Sequence, residues 1–138
     1  MARVIRATPL VAGEAAGPVL FSEAPVSFWG GFDAATGRIV EARHPLKDQS
    51  VSSRVLVLPA LVGSTSSTAV LLEALWLETA PAALVSRTPD RFSALASIVA
   101  DELYGKGIPV LVVAPAIFEG FRAAARAEIA RDGTVRLT

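Results

Sequence analysis

The chain has 138 residues, 52% of them apolar and 19% charged, and 13 basic groups balance 13 acidic ones. This excludes a disordered linker, which is charge-rich and apolar-poor, and a net charge of zero lacks the basic excess of a nucleic-acid binder. Cysteine is absent and His44 is the only histidine, which excludes disulfides, multi-histidine metal sites and any iron–sulfur cluster ligated from this chain alone.

The length fits about one domain, taken here as residues 1–138, on a prior of roughly 150 residues per domain. In chain order, Arg3 to Thr8, Gly17 to Phe21 and Pro25 to Trp29 predict short strands between Gly and Pro breaks. Gly30-Gly31 marks a bend, Ala35-Thr36-Gly37 a turn, and Arg38-Ile39-Val40 the strand leaving it. Val55-Leu56-Val57-Leu58 is a continuous apolar run, as for a strand buried on both faces. It leads through Gly63-Ser64-Thr65-Ser66-Ser67 into a helix over Thr68 to Leu77, with Ser66 or Ser67 as N-cap.

Ala82 to Ser86 reads as a strand, and a second helix follows. Thr88 is its expected N-cap, Pro89 its first residue and Gly105 its end. Phe92, Leu95, Ala96, Val99 and Leu103 fall on one helical face, the expected buried one. Ile108 to Val113 is a strand. Ala127 to Ala130, a turn at Asp132-Gly133 and Thr134 to Leu137 form a hairpin. The class is α and β mixed, a sheet or barrel with helices packed outside.

The longest comparable apolar stretch, Ile108 to Phe118, is broken by Pro109 and Pro115 and falls short of the ~18 residues of a spanning helix. After Arg3 and Arg6, Pro9 precedes only Leu10-Val11-Ala12, too little for a signal peptide's apolar run of about 7–15 residues. The expectation is a mature, soluble, cytoplasmic protein without membrane or nucleic-acid partners.

Two segments carry candidate chemistry. In the first, Gly63 lets backbone approach a ligand, and a helix N-terminus behind Ser64, Thr65, Ser66 and Ser67 offers free N–H groups and about half a positive charge. Such a site suits a carboxylate, a phosphate or a serine alkoxide. The alternative is that these serines only cap the helix, which explains one serine well and the unbroken hydroxyl run from Ser64 to Thr68 poorly. The second is Ser27-Phe28-Trp29-Gly30-Gly31-Phe32-Asp33. Its aromatics either fill core or border a ligand. His44 reads as a packed or surface residue.

Ser27-Phe28-Trp29-Gly30-Gly31, Thr36-Gly37, His44-Pro45, Val55 to Pro59 and Gly63 to Ser67, in that order, resemble the aconitase X swivel domain family, the small subunit of aconitase X-type dehydratases. Ala80-Pro81-Ala82-Ala83 and Ile108-Pro109-Val110 continue the likeness. The resemblance implies a swivelling β/β/α domain, a β-barrel-like sheet with flanking helices. It also implies a heterodimer with a large aconitase X subunit that carries cysteines, an iron or iron–sulfur centre and most of the pocket for a small hydroxy-acid substrate. The family's catalytic serine, the proton acceptor, falls on Ser64. Gly63, Thr65, Ser66, Ser67, Ser27, Trp29, Gly30 and Gly31 are expected around the substrate.

The activities implied are dehydrations of cis-3-hydroxy-L-proline or of phosphomevalonate. The 11 arginines against two lysines suit a high-GC bacterial genome, which favours hydroxyproline. Val62 stands where many relatives carry a basic or polar residue, and Lys47-Asp48 where glycine is common. Val62 keeps open a second class, a non-catalytic binding or regulatory module on the same fold.

Overall fold

The computed structural model describes residues 2–138. The chain opens with β1 (Arg3–Arg6) and β2 (Thr8–Val11), separated only by Ala7. The expected strand from Arg3 to Thr8 is thus two strands. They lie at opposite edges of one eight-stranded sheet, whose order is given below. A sheet whose two edges are consecutive in sequence must curl until they nearly meet, and this one is barrel-like.

Next come β3 (Ala15–Phe21), β4 (Val26–Ser27), β5 (Phe32–Asp33), β6 (Arg38–Ile39), β7 (Val55–Leu58), β8 (Leu61–Val62) and α1 (Thr65–Leu77). The remainder is β9 (Ala83–Ser86), α2 (Arg91–Tyr104), β10 (Val110–Val112), α3 (Pro115–Glu119), β11 (Arg126–Ile129) and β12 (Thr134–Leu137). The large sheet runs β1-β12-β11-β3-β7-β9-β10-β2. β3, β7, β9 and β10 are parallel, and the other pairings are antiparallel. A two-stranded piece, β4-β8, stands apart, as does the hairpin β5-β6.

β7 is fully buried along its length, as its apolar run predicts. Val55 and Val57 point into the barrel with Val85, Leu111, Phe121 and Val135. Leu56 and Leu58 point out, under Leu71, Ala74 and Ala96 of the two long helices. Strict alternation on a strand covered from both sides gives one core inside the sheet and one beneath α1 and α2.

Several boundaries differ from expectation. Of Pro25 to Trp29, only Val26–Ser27 is strand, and Phe28 to Gly30 turn. α1 starts at Thr65 with Ser64 as N-cap, because serine and threonine are tolerated in a first turn whose N–H groups lack intrahelical acceptors. α3 lies within the proline-broken stretch. Pro115 starts it, and Phe118 plugs the barrel with Phe121 just beyond. The second helix, by contrast, begins later than expected, at Arg91. Its N-cap is Asp90, whose carboxylate accepts from the Ser93 N–H at 2.9 Å. The Thr88 carbonyl instead accepts from Ser86 Oγ at 2.8 Å, which holds Thr88 outside the helix. Asp90→Ala should therefore lower stability by about 0.5–2 kcal/mol, while Thr88→Ala stays within about 0.5 kcal/mol. Thermal unfolding of the two variants checks this.

The buried face of α2 is also corrected. Ser93, Ala96, Ser97 and Ala100 face the sheet, while Leu95 and Leu103 are 48% and 66% exposed. Two stripes share Ala96, and the small-residue stripe lets the helix come close. Ser97 Oγ donates to the Ile108 carbonyl at 2.5 Å and accepts from the Ile108 N–H at 2.8 Å. That bond pair requires contact which a leucine would block.

Candidate active site

The carboxyl ends of parallel strands are where open α/β sheets place ligands. Here β3 and β7 run side by side, with Phe21 beside Val57, and each then gives up one short strand. These are β4 and β8, paired in parallel with Val26 opposite Leu61 and Ser27 opposite Val62. The pairing brings together the two segments that the sequence singled out some 35 residues apart. Ser27 Oγ lies 4.0 Å from where a Cβ on Gly63 would sit.

Gly63 has φ 136, a conformation that favours glycine. A side chain there would also collide with Ser67 Oγ. The chain turns at Gly63 and Ser64 follows as N-cap, with φ −141 and ψ −146. Its carbonyl accepts from the Ser67 N–H at 2.9 Å and the Thr68 N–H at 3.3 Å. Its hydroxyl makes no capping hydrogen bond and its residue is exposed. Thr65 and Ser66 are exposed beside it in the first turn, whereas Ser67 is buried and its hydroxyl donates to the Val62 carbonyl at 3.5 Å. The hydroxyl run thus divides into three residues that face solvent, Ser67, which closes the loop, and Thr68, whose hydroxyl donates to the Phe92 carbonyl at 3.3 Å.

The second segment divides as well. Phe28 is 2% exposed and meets Phe32 edge-on, centroids 5.0 Å apart. Phe28 also lines a small cavity with Gly63, Ser67 and Leu71. Trp29 is 66% exposed at the rim. Ser27 Oγ donates to the Trp29 carbonyl at 2.8 Å, which holds the turn. A Cβ on Gly31 would stand 2.7 Å from the Ser27 carbonyl, so this second close approach also needs glycine.

His44 is buried and committed. Its Nδ1 accepts from the Leu46 N–H at 3.0 Å, so Nε2 carries the proton and donates to the Pro25 carbonyl at 3.0 Å. It pins the His44–Leu46 loop against β4. Asp48 has φ 70, so the position where the resemblance expects glycine is left-handed. Sequence reading passed over Glu41 and Arg43, which line a groove of about 350 Å³ with Ser27, His44 and Val62. It also passed over Asp90, Phe92 and Ser93, which flank Gly63 from the other side. Neither set carries a motif, and only the fold brings the first to Ser27 and Val62 and the second to Gly63 and Ser67.

The donors present do not fit an iron or iron–sulfur centre. There is no cysteine, both ring nitrogens of His44 are engaged, and no three His, Cys, Asp or Glu side chains cluster among the described residues. No helix among these residues is long and apolar enough to cross a membrane. Hydrogen bonding from Thr134 holds the Asp132 carboxyl below its ordinary value, and Glu23 and then Glu119 raise that of the Arg122 guanidinium.

The chain is thus a barrel-like α/β domain that presents the unbonded hydroxyl of the N-cap serine Ser64 at a strand-to-helix junction. Residues 4–137 match the aconitase X swivel domain, and the chain belongs to that family. It is 39% identical over 109 residues to the cis-3-hydroxy-L-proline dehydratase of Pseudomonas aeruginosa, covering 79% of this chain and 19% of that one. It is 38% identical over 99 residues to the phosphomevalonate dehydratase small subunit of Methanothermobacter thermautotrophicus, covering 72% of this chain and 71% of that one. The crystal structure of Thermococcus kodakaraensis aconitase X in its holo-form superposes with a TM-score of 0.83 at 25% identity, over 99% of this chain and 98% of that one. The chain spans about a fifth of the length of the Pseudomonas relative.

Proposed function

We propose that this chain is the swivel subunit of an aconitase X-type hydro-lyase, inactive without a large subunit, and that Ser64 is its base. The substrate we assign is cis-3-hydroxy-L-proline. Deprotonated Ser64 takes the proton from the carbon that bears the carboxylate. The electrons of that C–H bond form a carbon–carbon double bond, the neighbouring C–O bond breaks, and the hydroxyl leaves as water after gaining a proton.

The observation that carries the proposal is the free, exposed Ser64 hydroxyl at the Gly63 turn. Serine is a poor base at its ordinary pKa. N–H groups of the first turn of α1 and its dipole would stabilise the alkoxide. Closure of the swivel subunit over the pocket would exclude water and strengthen that effect. An iron or iron–sulfur centre is assigned to the large subunit.

Hydroxyproline is supported by the 37% identity over 130 residues, 94% of this chain, to the enzyme of that name in Hypocrea jecorina. The second reading, phosphomevalonate, is supported by the match to an archaeal small subunit over most of both chains. Reconstitution separates them. The chain and its large subunit should co-elute on size-exclusion chromatography and dehydrate cis-3-hydroxy-L-proline. Turnover of phosphomevalonate instead would overturn the substrate. Independent elution at micromolar concentration, without turnover of either compound, would overturn the proposal.

A further inference from the structure

We infer that Glu41 and Arg43 form a two-charge subsite that holds the ammonium and carboxylate of a small zwitterionic substrate, which makes them specificity-determining residues for the Ser64 site. The inference rests on the function proposed above and names the class of molecule that the site selects.

Both side chains line the groove of about 350 Å³ that also contains Ser27 and Val62. Ser27 and Val62 are the facing pair of β4 and β8, and Val62 lies two residues before Ser64. Two residues span at most about 7 Å of chain, which keeps Ser64 within the length of a small ligand of the Val62 backbone at the end of the groove.

The charges here are unspent. Arg38 Nη1 donates to the Asp48 carbonyl, Lys47 pairs with Asp48, and Arg54 Nη1 donates to Gln49 Oε1. Among the described residues, only Glu41 and Arg43 of the charged side chains from Arg38 to Arg54 have no ion-pair or hydrogen-bond partner. The backbone that carries them is fixed. The Val40 N–H donates to Gly31 at 3.0 Å, the His44 N–H closes a turn on Glu41 at 3.1 Å, and the His44 ring is held at both nitrogens. The fixed backbone lowers the ordering cost of binding, which then falls on the two side chains alone.

One anion and one cation in a groove suit a ligand carrying one of each. A guanidinium takes a carboxylate through paired, charge-assisted bonds, and Glu41 takes the secondary ammonium. A phosphorylated carboxylate, with several negative charges, would find one cation and be repelled by Glu41.

The test uses the reconstituted complex. Arg43→Gln should raise KM for cis-3-hydroxy-L-proline by about 10–100-fold, the span of a hydrogen bond to a charged group, with kcat falling less than KM rises. Arg43→Lys should recover part of the loss. Glu41→Gln should also raise KM. A lowered KM in Glu41→Gln would mean that Glu41 repels an anion and would overturn the inference. So would an unchanged KM in Arg43→Gln while Ser64→Ala still abolishes turnover, a result that leaves the proposed function standing. If the wild-type complex has no hydroxyproline activity, that function fails, and binding decides the subsite. L-Proline titrated into the full chain should shift the amides of residues 41–44 and 46, and less so in Arg43→Gln. Equal shifts in both proteins, or none in either, would overturn it.

Discussion

Ser64→Ala in the reconstituted complex should reduce turnover by about 10²–10⁴, the usual contribution of a general base, while fold and complex persist. Ordinary helix capping would give a different pattern. Loss of a capping hydroxyl costs about 0.5–2 kcal/mol of stability and leaves chemistry intact. Here the Ser64 side chain makes no capping hydrogen bond, so its removal should scarcely change the melting temperature. The Ser64 carbonyl still accepts from Ser67 and Thr68 in the variant, so α1 keeps its start. Ser66→Ala is the control, since Ser66 is exposed two residues further on in the first turn and should show a smaller rate effect. If Ser64→Ala keeps more than about a tenth of wild-type kcat, the loss is too small for a missing base and the catalytic assignment falls.

The order of motifs carried most of the fold into view. The buried run Val55 to Leu58 read as a strand covered on both faces, and it is one. The hairpin ending in Thr134 to Leu137 stands where its Asp-Gly turn puts it. Size and periodicity misled at α2. They cannot rank two stripes that share Ala96, and the winner was set by the contact of Ser97 with Ile108, a bond to a residue outside the helix. The same limit applies at the site. Gly63 and Ser64 carry a local signal, a glycine before a hydroxyl at a strand-to-helix step. Glu41 and Arg43 carry none, because they reach the groove only through the pairing of β4 with β8 and the anchoring of His44.

The two adjacent aromatics give the second large effect, and they should separate cleanly. Phe28→Ala should cost about 3–5 kcal/mol, as for other buried phenylalanines. Its ring is 2% exposed, sits edge-on to Phe32 and lines the cavity under Gly63, Ser67 and Leu71. A truncated side chain there removes support from below the serine loop. Activity should therefore fall together with stability, and a chemical-denaturation midpoint will show the loss. Trp29→Ala should behave in the opposite way. At 66% exposure the indole has little packing to lose, so stability should change by no more than about 0.5 kcal/mol. Its place on the turn held by Ser27, next to Gly30 and Gly31, puts it at the rim where, under the proposed function, a substrate or the large subunit would arrive. Turnover per folded complex, or affinity for the large subunit, should drop. Should Trp29→Ala instead melt many degrees lower and keep its activity per folded molecule, the indole belongs to the core and the rim has no role in the site.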